Sequence, residues 1–270
     1  MVHAMDGAER RGSLQRALSL LVALSTDELT AGGGAGVSQL AAMTAQDKSQ
    51  VSRTLRTLAD EGLVERDPRT LLYRLGWQLY ALAAQAGDQR LLRLAAPVLL
   101  RTVGETGERS HLSVLRGRAV LTVLTESGSH SVQTLSWVGR TVPCHATSSG
   151  RALLLDHDRD ALVRLLGTGP LELFGPNCPV DVDDLHARIQ DARVRGIVLS
   201  DEDFEAGLLA VSAPVRDVTG RIVAALNISA PKFRLASRVD VACTSVAAAA
   251  AELSRQLGWL PAHASVLTPT

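Results

Sequence analysis

The sequence has few of the residues that would hold a disulfide-bonded or membrane-bound protein together. Only three cysteines occur in 270 residues, and they are widely scattered, at Cys144, Cys178 and Cys243. This odd, dispersed set indicates a reducing cytoplasm and no disulfide framework. No apolar run is long enough to span a bilayer, and residues 1–12 lack the apolar segment of a secretory signal. We therefore expect a cytoplasmic protein with disordered tails at residues 1–12 and 261–270.

The sequence also lacks an excess of charge of either sign. Its 28 Lys and Arg residues balance 28 Asp and Glu residues, so the formal net charge is zero. This balance argues against tight non-specific binding to nucleic acid. The segment from residue 48 to residue 74 is only mildly basic: its cations are Lys48, Arg53, Arg56, Arg66, Arg69 and Arg74, and its anions are Asp60, Glu61, Glu65 and Asp67. One copy should hold DNA weakly, so DNA binding would require a dimer.

What the chain does contain is a segment, residues 37–76, with the layout of a winged helix-turn-helix. Two helices and then two strands are predicted, at residues 38–43, 48–61, 63–66 and 71–75. Asp47 is placed to cap the second helix, and Gly62 is placed to adopt the left-handed conformation that ends it. This order is typical of proteins that insert the second helix into the DNA major groove.

The second of these helices has two different faces. Val51, Leu55 and Leu58 recur at helical spacing, which predicts a face packed on a core. The opposite face carries hydroxyl, amide and guanidinium groups, and Arg and Gln can each form two hydrogen bonds with a base edge. The predicted DNA contacts are Lys48, Ser49, Gln50, Ser52, Arg53, Arg56 and Arg69. A solvated helix without a DNA-binding role would show the same polar face, but the preceding helix and the following hairpin favour DNA binding.

The rest of the chain predicts a second domain of mixed helix and strand. A helical linker, residues 77–94, is expected between a first domain at residues 13–76 and a second at residues 95–258. The strands of the second domain form antiparallel pairs between helices at its start and end, which indicates an α+β sensor domain. One strand is predicted at residues 131–138, and the last helix, rich in alanine, at residues 235–257.

Seven short motifs follow one another in a distinctive order. They are RALSLL at 16–21, YRLG at 73–76, GETGE at 104–108, VGRTVPCHATSSGRA at 138–152, RVRGIV at 193–198, DEDFEAG at 201–207 and APVRDVTG at 213–220. In these motifs the chain resembles the isocitrate-lyase-regulator (IclR) family of bacterial transcription factors over nearly its whole length. The resemblance implies a winged-helix N-terminal domain and a GAF-like, effector-binding C-terminal domain. It also implies a homodimer or dimer of dimers on a double-stranded DNA operator, with either repression or activation.

The resemblance places an effector pocket in the second domain, for a small carboxylate or an aromatic acid. The implied contacts are Thr134, Trp137, Val142, Ser148, Ser149, Ser200, Asp201, Ala210, Asn227 and Ser229. The backbone N–H groups of Ser148 and Ser149, at the start of a helix, would favour a carboxylate. Helix capping by the two serines, core packing by Trp137 and capping of a turn by Asp201 are the simpler alternatives. Ser200, Ala210 and Asn227 depart from residues common in the family, so no relative's ligand can be carried over.

The residues predict neither an enzyme nor a metalloprotein. Cys144 and His145 are adjacent, so on a strand they face opposite sides and cannot act as a nucleophile–base pair. No G-x-S-x-G nucleophile elbow is present. The cysteines lack C-x-x-C spacing and the histidines lack ligand spacing, so no metal and no other cofactor is expected. One alternative stays open: the second domain could serve only in oligomerisation and bind no ligand.

Overall fold

A computed structural model describes residues 12–85, 89–128 and 137–260 of the chain. The chain divides into two units, residues 1–89 and 90–270, and this division falls inside the predicted linker. Apart from residue 12, the predicted tails lie outside the described residues. Among the described residues, the helices are all too short or too polar to cross a bilayer.

The first unit is a winged helix-turn-helix, as predicted. Its elements are α1 (Ser13–Leu24), α2 (Asp27–Ala31), α3 (Val37–Thr44), α4 (Lys48–Asp60), β1 (Val64–Arg66), β2 (Tyr73–Leu75) and α5 (Trp77–Gln85). The two strands pair antiparallel, with Glu65 opposite Arg74. The sequence did not predict α2, a helix of only five residues, which is too short to show a helical repeat of apolar residues.

The core of the first unit forms where its helices meet the wing. Val51 and Leu55 of α4 are fully buried together with Leu20 of α1 and Leu40 of α3, and Leu58 is nearly so. The apolar stripe predicted on α4 is therefore confirmed. Because this stripe anchors α4 on the other helices, its polar face is turned away from the core.

The second unit is an α+β domain built on one sheet. Its elements are α6 (Gln89–Thr106), β3 (Arg109–Arg116), β4 (Ala119–Glu126), β5 (Thr141–Pro143), α7 (Ser148–Leu153), α8 (Arg159–Leu166), α9 (Val182–Arg195), β6 (Val198–Asp201), β7 (Leu208–Arg216), β8 (Ile222–Pro231), α10 (Lys232–Leu235) and α11 (Val239–Gln256). The strands form a six-stranded sheet in the order β5-β4-β3-β8-β7-β6. Every neighbouring pair is antiparallel, which confirms the predicted fold class.

Helices cover both faces of this sheet. On one face, buried side chains of α6 and α11, such as Leu99 and Val246, pack on Leu226 of β8. On the other face, α7, α8 and α9 form a second core that includes Leu162 and Ile189. The residues of a strand alternate between the two faces, so in β8 Leu226 and Ile228 belong to the core with α6 and α11, whereas Ala225 belongs to the second core.

Three predictions about individual elements need correction or fall outside the described residues. The strand predicted at residues 131–138 lies largely outside them, and Trp137 and Val138, which are described, are not in a strand. The motif at residues 138–152, in which no strand was predicted, contains the short edge strand β5. The helix predicted at residues 235–257 is interrupted by a 3-10 turn, Ala236–Arg238, where Arg238 leaves helical backbone geometry and its Nη1 donates to the carbonyl oxygen of Thr106.

Candidate functional site

The N-terminus of α4 is held by Asp47. Its Oδ1 accepts hydrogen bonds from the backbone N–H of Ser49 at 2.8 Å and of Gln50 at 3.2 Å, and from the Ser49 hydroxyl at 2.5 Å. These bonds lower the pKa of Asp47 below its usual value, and the bond from the Ser49 hydroxyl has the largest effect. The predicted cap is confirmed, and an ionised carboxylate at this position also stabilises the helix dipole.

The polar face of α4 is accessible. Lys48, Ser49, Arg53 and Arg56 are exposed, whereas Gln50 and Ser52 are half-buried. Arg69 is exposed in the turn between β1 and β2. That turn is closed by Asp67, whose Oδ1 accepts from the backbone N–H of Arg69 and of Thr70 at 2.8 and 2.9 Å. Six of the seven predicted DNA contacts therefore share one helix, and the seventh lies in the wing.

One neighbour of this face was missed from the sequence. In the amide orientation that satisfies both groups, the side-chain oxygen of Gln50 accepts from Arg16 Nε at 2.8 Å and from Arg16 Nη2 at 3.2 Å. Arg16 belongs to α1 and thus places a further guanidinium beside the start of α4. Only the packing of α1 on α4 reveals this contact, because no local pattern relates the two residues.

A cavity of about 820 Å³ lies in the second unit, on the side of the sheet that faces α7. We refer to it as the sheet cavity. The implied effector contacts that line it are Trp137, Val142, Ser148, Ser149, Ser200, Ala210, Asn227 and Ser229. Asp201 does not line it: Ser200 faces the cavity, the next residue of β6 points the other way, and Asp201 instead pairs with Lys232 at 2.8 Å. Thr134 lies outside the described residues.

The floor of the sheet cavity, by which we mean its buried lining on the sheet, includes three residues that were not predicted from the sequence, namely His111, Ser113 and Thr122. All three are buried. His111 of β3 lies opposite Asn227 of β8 in the sheet register. Alternation along β3 is the signal that could have found His111 and Ser113, because Leu112 and Val114 belong to the core on the other face.

His111 is the most buried titratable group of the sheet cavity. Its Nδ1 lies 2.9 Å from the hydroxyl of Thr125, and its Nε2 lies 3.4 Å from the hydroxyl of Ser229. The edge of its ring meets Trp137 at 6.3 Å between centroids. Burial, assisted by the charge of Arg109, lowers the pKa of His111 to about 4. The imidazole is therefore neutral near pH 7, with one nitrogen able to donate and the other able to accept.

The start of α7 closes one side of the sheet cavity. The helix is capped by Thr147, whose hydroxyl accepts from the backbone N–H of Gly150 at 3.2 Å, so neither Ser148 nor Ser149 is the cap. A side chain at Gly150 would place its Cβ 2.0 Å from the carbonyl oxygen of Cys144. Glycine is required at this close approach, which fixes α7 against the end of β5.

A buried ion pair fixes the loop between β6 and β7, which also borders the sheet cavity. Arg151 of α7 pairs with Asp203 of this loop, and both side chains are only 4% exposed. Arg151 Nη2 also donates to the carbonyl oxygen of Leu199 at 2.9 Å, and Arg188 approaches Asp203 at 3.3 Å. The neighbouring Phe204 lines the sheet cavity and stacks on Phe174 at 5.8 Å between ring centroids.

The groups considered for other chemistry are not arranged for it. Burial raises the pKa of the Cys144 thiol to about 11, so it is not a thiolate near pH 7. His145 Nε2 is instead 2.8 Å from the carbonyl oxygen of Glu172. Within residues 12–85, 89–128 and 137–260, there is no cluster of three or more His, Cys, Asp or Glu that could hold a metal ion.

Comparison with known proteins decides the family. Residues 13–68 match the IclR helix-turn-helix domain, and residues 83–255 match the C-terminal domain of the bacterial transcriptional regulator IclR. The chain belongs to the IclR family of transcriptional regulators. Members of this family bind DNA through the helix-turn-helix and are not enzymes, in agreement with the absence of an organised catalytic set in the sequence.

Curated relatives and solved structures cover the whole two-unit arrangement. The HTH-type transcriptional regulator BhcR of Paracoccus denitrificans is 30% identical over 256 residues, covering 92% of this chain and 89% of BhcR. The repressor AllR of Escherichia coli K12 is 26% identical over 86% of this chain and 83% of AllR. An IclR homologue from Microbacterium hydrocarbonoxydans, solved with 4-hydroxybenzoate, superposes with a TM-score of 0.76 at 26% identity, over 91% of this chain and 99% of that one.

Proposed function

We propose that this regulator changes its affinity for an operator when a small carboxylate or aromatic acid binds in the sheet cavity. The observation that carries the proposal is the sheet cavity itself, whose floor presents His111, Asn227 and Ser229 on neighbouring strands. Its volume of about 820 Å³ falls in the range of ligand sites, roughly 300–1,000 Å³. A domain that served only to join copies of the chain would not require buried polar side chains around an open volume.

The lining of the sheet cavity suits an aromatic acid. Trp137 and Phe204 provide aromatic walls, and hydroxyl, amide and imidazole groups provide hydrogen bonds at the floor. Sites of this kind combine apolar walls with a few convergent polar groups. The relative from Microbacterium hydrocarbonoxydans was solved with 4-hydroxybenzoate, which makes this compound a rational first probe for the present chain.

The DNA contacts follow from α4. We infer that Lys48, Ser49, Gln50, Ser52, Arg53 and Arg56 face the major groove, and that Arg69 in the wing contacts the phosphate backbone. Because the segment around α4 is only mildly basic, two copies acting together would supply the phosphate contacts that one lacks. A homodimer would read half-sites about 34 Å apart. Effector binding would then favour one of two arrangements of the copies.

The DNA part is tested on an operator fragment selected by the wild-type protein from a random DNA pool. Arg53→Ala and Arg56→Ala should each weaken binding about tenfold or more, since each removes a guanidinium from the groove-facing side of α4. Arg159→Ala, which removes an exposed arginine of the second unit, is the control and should bind as the wild type does. Gel-shift titration gives the affinities. Unchanged affinity in both α4 variants would contradict the role of this helix.

The effector part is tested by thermal shift with a panel of small carboxylates and aromatic acids, including 4-hydroxybenzoate. Asn227→Leu removes an amide from the cavity floor and should abolish the rise in melting temperature seen with the wild type. Leu199→Asn, on the face of β6 turned away from the sheet cavity, is the control. No response of the wild-type protein to any compound would instead favour a second unit that only mediates oligomerisation.

A further inference from the structure

Of the charged side chains that line the sheet cavity, all but the buried Glu108 are at least partly exposed to solvent, and we call the side on which they lie its mouth. These charged side chains are Glu108, Arg109, Glu205, Arg234 and Arg238. Arg234, Arg238 and Glu205 are exposed, and Arg109 is half-buried. Three cations and two anions give the mouth a net positive charge. An anionic ligand group is therefore favoured at the mouth over the bulk solvent.

The floor has the opposite character. Its described lining side chains, among them Ser113, Thr122, Ser200 and Asn227, are uncharged and buried. His111, the one titratable group there, is neutral because burial lowers its pKa to about 4. A carboxylate placed on this floor would leave water without gaining a full positive charge, which is costly.

One carboxylate of the chain itself, that of Glu108, is bound by an arginine of the mouth. Arg234 of α10 donates from Nε and Nη2 to the two oxygens of Glu108, both at 2.6 Å. This is the two-bond fork by which arginine recognises carboxylates. Glu108 is 7% exposed, and the fork supplies hydrogen bonds in place of the water that its side chain loses on burial. Arg238 lies beside this pair and donates from Nη1 to the carbonyl oxygen of Thr106 at 2.9 Å.

We propose that the acid group of the effector binds at the mouth, on Arg234 and Arg238, while a neutral polar group of the same molecule reaches His111 and Asn227. This inference rests on the proposed function, because it assumes an effector in the sheet cavity. The acid group takes up the N–H groups of Arg234 that Glu108 does not use. The mouth thus selects for acids, and the floor selects for the group at the other end.

The competing position for the acid is the start of α7, at the N–H groups of Ser148 and Ser149. That helix has six residues, and a helix N-terminus carries at most about half a unit charge. Arg238 carries a full charge, and Arg234, although it is paired with Glu108, adds further N–H donors. The mouth also leaves the carboxylate partly hydrated, so less solvation is lost there than in the buried end of the sheet cavity.

The proposed contacts define the chemical class of the ligand. The effector class that fits has an acid at one end, a flat apolar body between Trp137 and Phe204, and a hydroxyl or carbonyl group at the other end.

The experiment compares acids with their amides, which have nearly the same shape but no charge. The probes are 4-hydroxybenzoate and 4-hydroxycinnamate, each with its amide, and dissociation constants are measured by calorimetry. The wild type should prefer each acid over its amide by about tenfold to hundredfold, since hydrogen bonds to charged groups are strong. The double variant E108Q/R234Q, which leaves no unpaired buried charge, and the single variant R238Q should each lose most of this preference.

Two comparisons make the outcome decisive. R101Q/E252Q neutralises an exposed ion pair elsewhere on α6 and α11 and should keep the full acid preference. N227L should weaken acid and amide alike. If the wild type, E108Q/R234Q and R238Q all prefer the acid over its amide to the same degree, the acid group does not bind at the mouth. The proposal that an effector binds in the sheet cavity would still stand. If neither acid binds the wild type, the inference is overturned together with the effector part of the proposed function.

Discussion

The two units of this chain use polar side chains in opposite ways. In the first unit, α4 exposes charged groups such as Arg53 and Arg56 to solvent along one helix. In the second unit, the sheet cavity buries uncharged groups such as Ser148 and Asn227, and it keeps its charges at the mouth. Exposed cations act at long range on any phosphate. Buried neutral groups instead reject ligands that leave them without a hydrogen bond. The first arrangement suits a large, repetitive polyanion, and the second suits one small molecule.

The largest effect is expected from the one charged pair discussed above that the second unit buries beside the sheet cavity, that of Arg151 and Asp203. Arg151→Met leaves Asp203 with only the longer contact to Arg188, so the free energy of unfolding should fall by about 3–5 kcal/mol. Urea unfolding followed by circular dichroism measures the loss. Arg159→Met removes an exposed ion pair and should leave stability nearly unchanged. A similar, small effect of both variants would mean that burial makes no difference to this pair.

The next effect is the pH dependence of the free energy of unfolding that arises from the buried imidazole of His111. The folded pKa of His111, about 4, lies below its ordinary value of 6.5. The unfolded chain therefore binds the proton more readily between these values, and stability falls as pH drops from about 6.5 to about 4, by on the order of 3 kcal/mol.

Denaturant unfolding at a series of pH values tests this expectation. His111→Gln should flatten the pH dependence between pH 6.5 and 4, because the group that takes up the proton on unfolding is gone. His186→Gln, on the surface helix α9, is the matched control and should keep the wild-type dependence. An unchanged profile in His111→Gln would contradict a neutral, buried imidazole.

A smaller effect is expected at the cap of α4. Asp47→Ala removes the acceptor for the N–H groups of Ser49 and Gln50, so the melting temperature of the first unit should fall by a few degrees. Asp47→Asn keeps an acceptor and should restore most of the loss. The pKa of Asp47 is lowered in the folded chain, so its contribution is present above the ordinary pKa and is lost as pH falls through the folded value. The difference between wild type and Asp47→Ala should therefore shrink at strongly acidic pH.

The smallest effect is expected in the wing. Arg69→Ala should reduce the dependence of log affinity on log salt by about one for each copy bound, with little change in sequence preference. Fluorescence anisotropy on the selected operator at several salt concentrations gives this slope. Arg164→Ala, an exposed arginine of α8 in the second unit, should leave it unchanged. A loss of sequence preference in Arg69→Ala would mean that the wing reads bases.

The contrast between the units also explains what the sequence could predict. The face of α4 comes from one continuous segment, so helical spacing located Val51 and Leu55 on one side and Arg53 and Arg56 on the other. The cap at Asp47 is equally local. The contact of Arg16 with Gln50 depends on how α1 packs on α4, and no spacing rule contains that information.

The sheet cavity is assembled from residues far apart in sequence, and most of its predicted lining came from resemblance to a family. Alternation along β3 puts His111 on the opposite side of the strand from Leu112, but only the register between β3 and β8 places it beside Asn227. Asp201 was included because the motif around it is distinctive, but alternation along β6 turns its side chain toward Lys232. Neither register nor strand direction can be read from composition or motif order.

Helix α6 connects the mouth of the sheet cavity to the point where the chain passes from the first unit to the second. Its last residue, Thr106, lines the cavity, and its first residue, Gln89, lies where the chain passes from one unit to the other. Eighteen residues make it about 27 Å long. A tilt of about 10° at the mouth would displace the far end by about 5 Å, close to one helical turn. In such a tilt Thr106 would lie on the short arm and Gln89 at the end of the long arm, so a small movement at Thr106 would be amplified at Gln89.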